Sequence, residues 1–151
     1  MAYRRVRKPH DKDDLLNRVT GGNPFETYRE ALIFAGAYGF AHGRRTPFEK
    51  TSEPISWEVF SGAPGAVIVD MIAAATTDEL EVLGDEDDDF DRRLTLFEEY
   101  ANGGLELLQE RLENDSRSEL DVILEAVLAA EGASAREDSV DLAAIADELS
   151  G

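Results

Sequence analysis

Basic side chains are concentrated at two places within the first fifty residues of the chain. One is an amino-terminal arm, AYRRVRKPH at residues 2–10, and the other is the corner HGRRTP at residues 42–47. Guanidinium and ammonium groups bind phosphate oxygens, so this density of cations is typical of surfaces that follow a nucleic-acid backbone. We predict one contiguous DNA-binding surface made of Arg4, Arg5, Arg7, Lys8, Arg44, Arg45 and Lys50. The alternative for the arm is a frayed, solvated terminus.

The net charge of −18 is distributed unevenly along the 151 residues. Residues 1–60 carry ten Lys and Arg against eight Asp and Glu, which gives +2, whereas residues 61–151 carry five against twenty-five, which gives −20. The sequence therefore predicts two electrostatic halves. A surface dominated by carboxylates is typical of halophilic proteins, which must stay hydrated in a salty cytoplasm, and an ordinary acidic protein is the alternative. At about 1 M salt the screening length is about 3 Å, so only close contacts with DNA would retain much electrostatic energy.

Few residues are suited to catalysis or metal binding. The chain contains no cysteine, which excludes disulfides and thiolate nucleophiles, and two histidines without cysteine exclude a zinc finger. The acidic run at residues 85–91 lacks the glycine and glutamate spacing of a calcium loop. Asp70, Glu81 and Lys50 would suit a nuclease, but nothing in the sequence brings them together. We therefore expect no metal, no cofactor and no catalytic activity.

The chain around the basic corner changes from helical to extended periodicity. A helix is predicted from Thr27, whose side chain can cap it, to Phe40. Ile55, Trp57 and Val59 then alternate with polar residues, which predicts a short strand at about residues 54–60. An unpaired strand leaves backbone groups without partners, so we expect these three residues to form a protein interface. Its partner would be a twin strand in a homodimer, another protein, or a second short strand of the chain itself.

Two further helices are expected to build the core. The run AVIVDMIAAA at residues 66–75 is almost free of charge and predicts a buried helix at the centre of the core. The longest helix is predicted from Phe90 to about Glu113, because apolar residues recur in it every three or four positions. These residues are Phe90, Leu94, Phe97, Ala101, Leu105, Leu108 and Leu112. Asn102-Gly103-Gly104 lies inside this stripe and indicates either a kink or the close approach of another backbone.

Together these patterns predict a mainly α fold: a compact helical domain of five to six helices with a short β element and a carboxy-terminal helical extension. We expect a domain at residues 1–113 that includes the basic arm, and an acidic extension at residues 114–151. In the extension, Ser118 and Asp121 have the spacing of a capping box at the start of a helix. No apolar run is long enough to span a bilayer and no signal peptide is recognisable, so we expect a cytoplasmic protein.

Four of these segments, in this order, resemble the Dnd system-associated protein 4 family. They are FETYREALIFA at residues 25–35, GFAHGRRTP at 39–47, EPI at 53–55 and FEEYANGGL at 97–105. The resemblance covers about Arg4 to Leu112, and nothing in the remaining tail matches it. Proteins of this family are encoded beside bacterial and archaeal systems that replace a non-bridging phosphate oxygen of DNA with sulphur and use that mark in defence. The resemblance implies an accessory role in modification and restriction, and it supplies no catalytic residue.

Two functions are compatible with these observations. The first is a non-catalytic accessory protein of phosphorothioation-dependent antiviral defence that contacts DNA through the basic residues, with phosphorothioated or nicked DNA among the candidates. The alternative is an adaptor that assembles a larger restriction or modification complex by binding other proteins of the Dnd system, without binding DNA itself. The sequence identifies neither the DNA feature nor the protein partner.

Overall fold

The computed structural model describes residues 4–22, 24–115, 117–118 and 121–125. Its elements are β1 (Val6–Pro9), a 3-10 turn (His10–Lys12), α1 (Asp13–Val19), α2 (Tyr28–Ala41), β2 (Thr51–Ile55), α3 (Trp57–Phe60), α4 (Gly65–Thr77), a second 3-10 turn (Leu80–Leu83) and α5 (Asp87–Glu113). Residues 121–125 are helical. The predicted mainly α fold with a short β element is confirmed. The predicted extension beyond residue 125 lies outside the described residues.

Helix α2 begins where the sequence predicts. The side-chain oxygen of Thr27 accepts a hydrogen bond from the backbone N–H of Glu30 at 3.2 Å, which satisfies one of the amides left unpaired in the first helical turn. The buried residues of α2 lie on one face, which packs against α5. They are Ala31, Leu32, Ala35, Gly36 and Gly39. Because all of these except Leu32 are alanine or glycine, the two helices come close together.

Helix α5 is the element against which most of the chain packs. Six of the seven residues in its predicted stripe are buried, and Phe90 is half-buried. The helix runs without interruption through the two glycines, and a β-carbon on Gly104 would lie 1.9 Å from the carbonyl oxygen of Ala35 in α2. A β-carbon on Gly39 would in turn lie 2.1 Å from the carbonyl oxygen of Tyr100. Of the two predicted explanations for the glycines, the close approach of another backbone is therefore the correct one.

Part of the amino-terminal arm, Val6–Pro9, forms a strand. β1 pairs with β2 in an antiparallel two-stranded sheet, with Val6 opposite Ile55 and Pro9 opposite Thr51. The backbone N–H of His10 continues the pairing by donating to the carbonyl oxygen of Lys50 at 2.9 Å. The interpretation of residues 6–9 as a frayed terminus is therefore wrong. The predicted strand finds its partner within the chain, which was one of the three alternatives.

The position of the second strand was predicted incorrectly. The structure places β2 at Thr51–Ile55 and forms a short helix, α3, over Trp57–Phe60. Ser56 causes the change, because its hydroxyl oxygen accepts from the backbone N–H of Val59 and caps the new helix. The alternation of apolar and polar residues beyond Ile55 therefore does not belong to a strand.

Helix α4 was predicted to occupy the centre of the core, but only one of its faces is buried. Val69, Ile72 and Ala73 point inward, at the spacing of one helical face. Val67 and Met71, one turn apart on the other side, are 66% and 48% exposed. The helix is therefore correctly predicted in type and position, whereas its burial is only partial.

Candidate functional site

Two of the predicted DNA-binding arginines converge on one buried carboxylate. The side chain of Glu98 in α5 is 0% exposed, and its Oε1 accepts from Arg4 Nη2 at 2.7 Å and from Arg7 Nη2 at 2.8 Å. Its Oε2 accepts from the backbone N–H of Arg7 at 2.6 Å, which attaches strand β1 to α5. Arg4 also pairs with Asp91 at 2.5 Å. Hydrogen bonding to Glu98 raises the pKa of Arg7 above its ordinary value, so this guanidinium stays charged and paired.

The arginines of the corner also pair with carboxylates of α5. Arg44 Nη1 donates to Glu110 Oε1 at 2.8 Å, and this hydrogen bond raises the pKa of Arg44. Arg45 Nε lies 3.5 Å from Glu99 Oε1. Both pairs are partly exposed to solvent, so each contributes little to stability, although each neutralises its cation.

The remaining predicted cations differ in their surroundings. Lys8 is buried, and its ammonium lies 4.0 Å from the centroid of the Tyr28 ring. Arg5 and Lys50 are exposed, and no ion pair is formed by either of them within the part of the chain that the structure describes. Lys50 lies beside Thr51 at one end of the two-stranded sheet and Arg5 beside Val6 at the other end. The two side chains are therefore separated by roughly 15 Å along the sheet.

The charge imbalance along the sequence reflects pairing inside the fold. Four cations of the first sixty residues meet carboxylates of α5, which belongs to the acidic part of the chain. These contacts therefore do not leave the contiguous surface of free cations that the sequence predicted. Binding of DNA itself stays a prediction.

The three predicted interface residues have separate environments. Ile55 ends β2 opposite Val6 and is half-buried. Trp57 begins α3, and its ring packs edge-on against Phe90 with centroids 5.0 Å apart. Val59 is 61% exposed on α3. These residues therefore do not form one strand face, and of the three only Val59 is largely available to a partner.

Val67 and Met71 form the outer face of α4. The exposure of this face was not predicted from the sequence, because apolar residues occur on all sides of the helix. Among the residues of α4, Asp70 alone carries a charge, and its carboxylate pairs with Arg93 of α5 at 3.1 Å. The following 3-10 turn contacts α4 and contains a further exposed apolar side chain, Leu80, which is 78% exposed. The exposed face could have been predicted from the helical period. If Val69, Ile72 and Ala73 face the core, that period places Val67 and Met71 on the solvent side. This leaves exposed apolar side chains on a chain whose surface is otherwise rich in carboxylates.

Metal binding and membrane insertion were also considered. Within residues 4–22, 24–115, 117–118 and 121–125, no three His, Asp or Glu side chains converge as metal ligands would. Over the same described residues, none of the helices is both long enough and apolar enough to cross a bilayer.

Comparison with known proteins identifies a family. The family model of the DNA sulphur modification system-associated protein 4 matches residues 5–145. The match extends well past Leu112, so the expectation that the tail lies outside the family is wrong, whereas the predicted division at residues 113 and 114 stays a prediction. No curated protein and no solved structure matches the chain. The family's description associates its members with a DNA sulphur modification system, and the match covers most of the chain, which therefore belongs to the DNA sulphur modification system-associated protein 4 family.

Proposed function

We propose that this protein is a non-catalytic adaptor of the DNA sulphur modification system, and that it binds another protein of that system through the outer face of α4. The observation that carries the proposal is the exposure of Val67 and Met71 on a helix whose opposite face is buried. A helix at the surface of a soluble protein normally presents polar side chains to water. Apolar side chains in their place favour burial against a partner.

The pairing of the cations favours an adaptor over a DNA-binding protein. A DNA phosphate would have to displace Glu98, Glu110 or Glu99 from the arginine that each one binds. Glu98 is fully buried, and drawing Arg4 and Arg7 away from it would leave its charge uncompensated, at a cost of several kcal/mol. Arg5 and Lys50 remain as exposed cations, but two separated charges provide little of the counterion release that drives binding to DNA.

The proposal is tested by reconstitution with the other proteins of the system, each purified separately and treated with nuclease. The full chain and its Val67→Glu, Met71→Glu double variant are compared for co-elution with each protein. We expect the wild-type chain to co-elute with one of them, and we expect affinity to fall at least about a hundredfold in the double variant, because two charges would be buried at the interface.

Val59→Glu is the matched control, because Val59 is equally exposed but lies on α3. It should leave co-elution unchanged. Loss of binding in Val59→Glu together with normal binding of the double variant would move the interface to residues 55–59. If the wild-type chain binds DNA in the absence of other proteins, and Arg5→Glu and Lys50→Glu abolish this binding, the adaptor proposal is wrong and the protein binds DNA.

A further inference from the structure

A second site lies on the same face of α5 as Glu98, one to two helical turns further along, beside the corner that follows α2. Here a cleft of about 550 Å³ opens between the 3-10 turn His10–Lys12, residues 46–50 and two side chains of α5, Asn102 and Glu106. None of these residues is needed for the proposed interface on α4. The cleft therefore calls for an explanation of its own.

Two oxygen atoms in this cleft lack hydrogen-bond partners. Asn102 is only 3% exposed, and its Nδ2 donates to the carbonyl oxygen of Thr46 at 3.1 Å, whereas its Oδ1 has no donor. Glu106 lies one helical turn further along the same face, and its Oε1 is shielded from solvent and equally without a donor. Buried acceptors are normally paired, so two of them on side chains that line one cleft point to a missing donor.

The cations that line the cleft do not satisfy these oxygens. Lys12 Nζ pairs with Asp11 at 3.1 Å, and neither Lys12 nor the exposed Lys50 donates to Asn102 Oδ1 or Glu106 Oε1. The cleft also contains Phe48, one side of which already lies 5.5 Å from the guanidinium carbon of Arg7. Acceptors, a carboxylate and an aromatic ring together suit a planar cation that donates several hydrogen bonds.

We propose that this cleft binds an arginine side chain supplied by a partner protein, an inference that rests on the proposed adaptor function. The guanidinium donates to Asn102 Oδ1 and to the carboxylate of Glu106, and its stem lies along Phe48. A phosphate could reach Lys50 in the cleft, but it would supply no donor to Asn102 Oδ1 or Glu106 Oε1. The net charge of −18 favours a basic partner in the same way.

The test uses the full chain and three short capped peptides, Gly-Arg-Gly, Gly-Lys-Gly and Gly-citrulline-Gly, monitored by heteronuclear NMR. Citrulline keeps the shape and most donors of arginine but carries no charge. We expect saturable shifts of the Asn102 side-chain amide with the arginine peptide, with a Kd on the order of 1 mM. The citrulline peptide should bind about tenfold more weakly, because its hydrogen bonds lack the assistance of charge.

Glu106→Gln should weaken the arginine peptide about tenfold, whereas Glu110→Gln, the same change one turn along α5, should have little effect. Equal effects of the two variants, or no saturable shifts, would overturn the proposal. Tighter binding of deoxycytidine monophosphate than of the arginine peptide would also overturn it, since the cleft would then select a nucleobase. Peptide binding uses the isolated protein, so its failure is distinguishable from a failure of co-elution through α4.

Discussion

In two regions of the molecule, the exposure of the side chains to solvent is the reverse of what their residue types suggest. Around Glu98, the arginines that the sequence assigns to a solvent-exposed binding surface pair with a buried carboxylate. On α4, apolar residues that the sequence assigns to the core are exposed. The availability of a side chain for binding therefore depends on the partner that the fold brings to it. Charged residues can belong to the packed interior, and apolar residues can form the free surface.

The largest effect is expected at the packed side of this comparison, where α2 and α5 touch. Gly104→Ala should destabilise the protein by about 3 kcal/mol or more, because its β-carbon would lie 1.9 Å from a carbonyl oxygen of α2 and would force the helices apart. Urea unfolding measures the change. Gly22→Ala, which meets nothing within 4 Å, should change the free energy of unfolding by no more than about 0.5 kcal/mol. Similar values for the two variants would contradict the close packing of the helices.

Glu98→Gln tests the buried carboxylate itself. It should cost about 3 kcal/mol in the free energy of unfolding, since Arg7 loses its paired carboxylate, Arg4 keeps only Asp91, and the backbone N–H of Arg7 loses a charged acceptor. The neighbouring variant Glu99→Gln breaks one partly exposed pair with Arg45 and should cost less than about 1 kcal/mol. The comparison would fail if the two variants proved equally stable.

On α4, substitutions on the buried and on the exposed face should have different effects on the free energy of unfolding. Ile72→Ala should cost about 2 to 5 kcal/mol, because it leaves a cavity at a fully buried position. Met71→Gln, at the adjacent residue, should change the free energy of unfolding by less than about 0.5 kcal/mol, since its side chain is half exposed. Thermal and urea unfolding of the two variants measure this difference. A large loss in Met71→Gln would show that the outer face is packed in the free protein.

The smallest effect is expected at an exposed pair of arginine and carboxylate. The hydrogen bonds from Arg117 lower the pKa of Asp115 from 3.8 to about 2. A carboxyl whose pKa is depressed by folding contributes stability above its ordinary pKa and loses that contribution as the pH falls from 3.8 toward 2. Titration by carboxyl NMR should show Asp115 still largely ionised at the pH where it is half protonated in Arg117→Gln.

The same variant separates exposed pairs from buried ones. Arg117→Gln should lower the unfolding midpoint at neutral pH only slightly, because both side chains are accessible to water and the pair is screened. A clear loss of stability in Arg117→Gln would mean that this pair resembles the contacts of Glu98, contrary to its exposure.

Helix positions could be predicted from the sequence because they depend on local signals. Thr27 caps α2, and the stripe from Phe90 to Leu112 faces the core along one continuous helix. These features depend on neighbouring residues in the chain and on a period of 3.6 residues, so no long-range information was needed. The close helix contact was one of the two explanations that the paired glycines offered, and a kink was the other.

The sequence could not show which distant residues would meet. Glu98 lies more than ninety positions from both arginines, and no local pattern identifies it as the residue that accepts from Arg4 and Arg7. The strand was displaced for a related reason: β2 is defined by its pairing with β1, whereas the alternation near Trp57 is also compatible with a capped helical turn. The predicted burial of α4 was wrong for a similar reason, because the sequence of a helix that is apolar on all sides does not show which side is covered.

The contact between Gly39 and Gly104 has a consequence for how this family can vary. Because no side chains separate the two helix backbones there, their spacing is set by glycine alone, and the connection through residues 42–50 has a fixed distance to bridge. A relative with a bulkier residue at either position must hold the helices further apart and needs a longer connection between α2 and β2. Substitutions at these glycines and changes in loop length should therefore occur together among relatives that retain this fold.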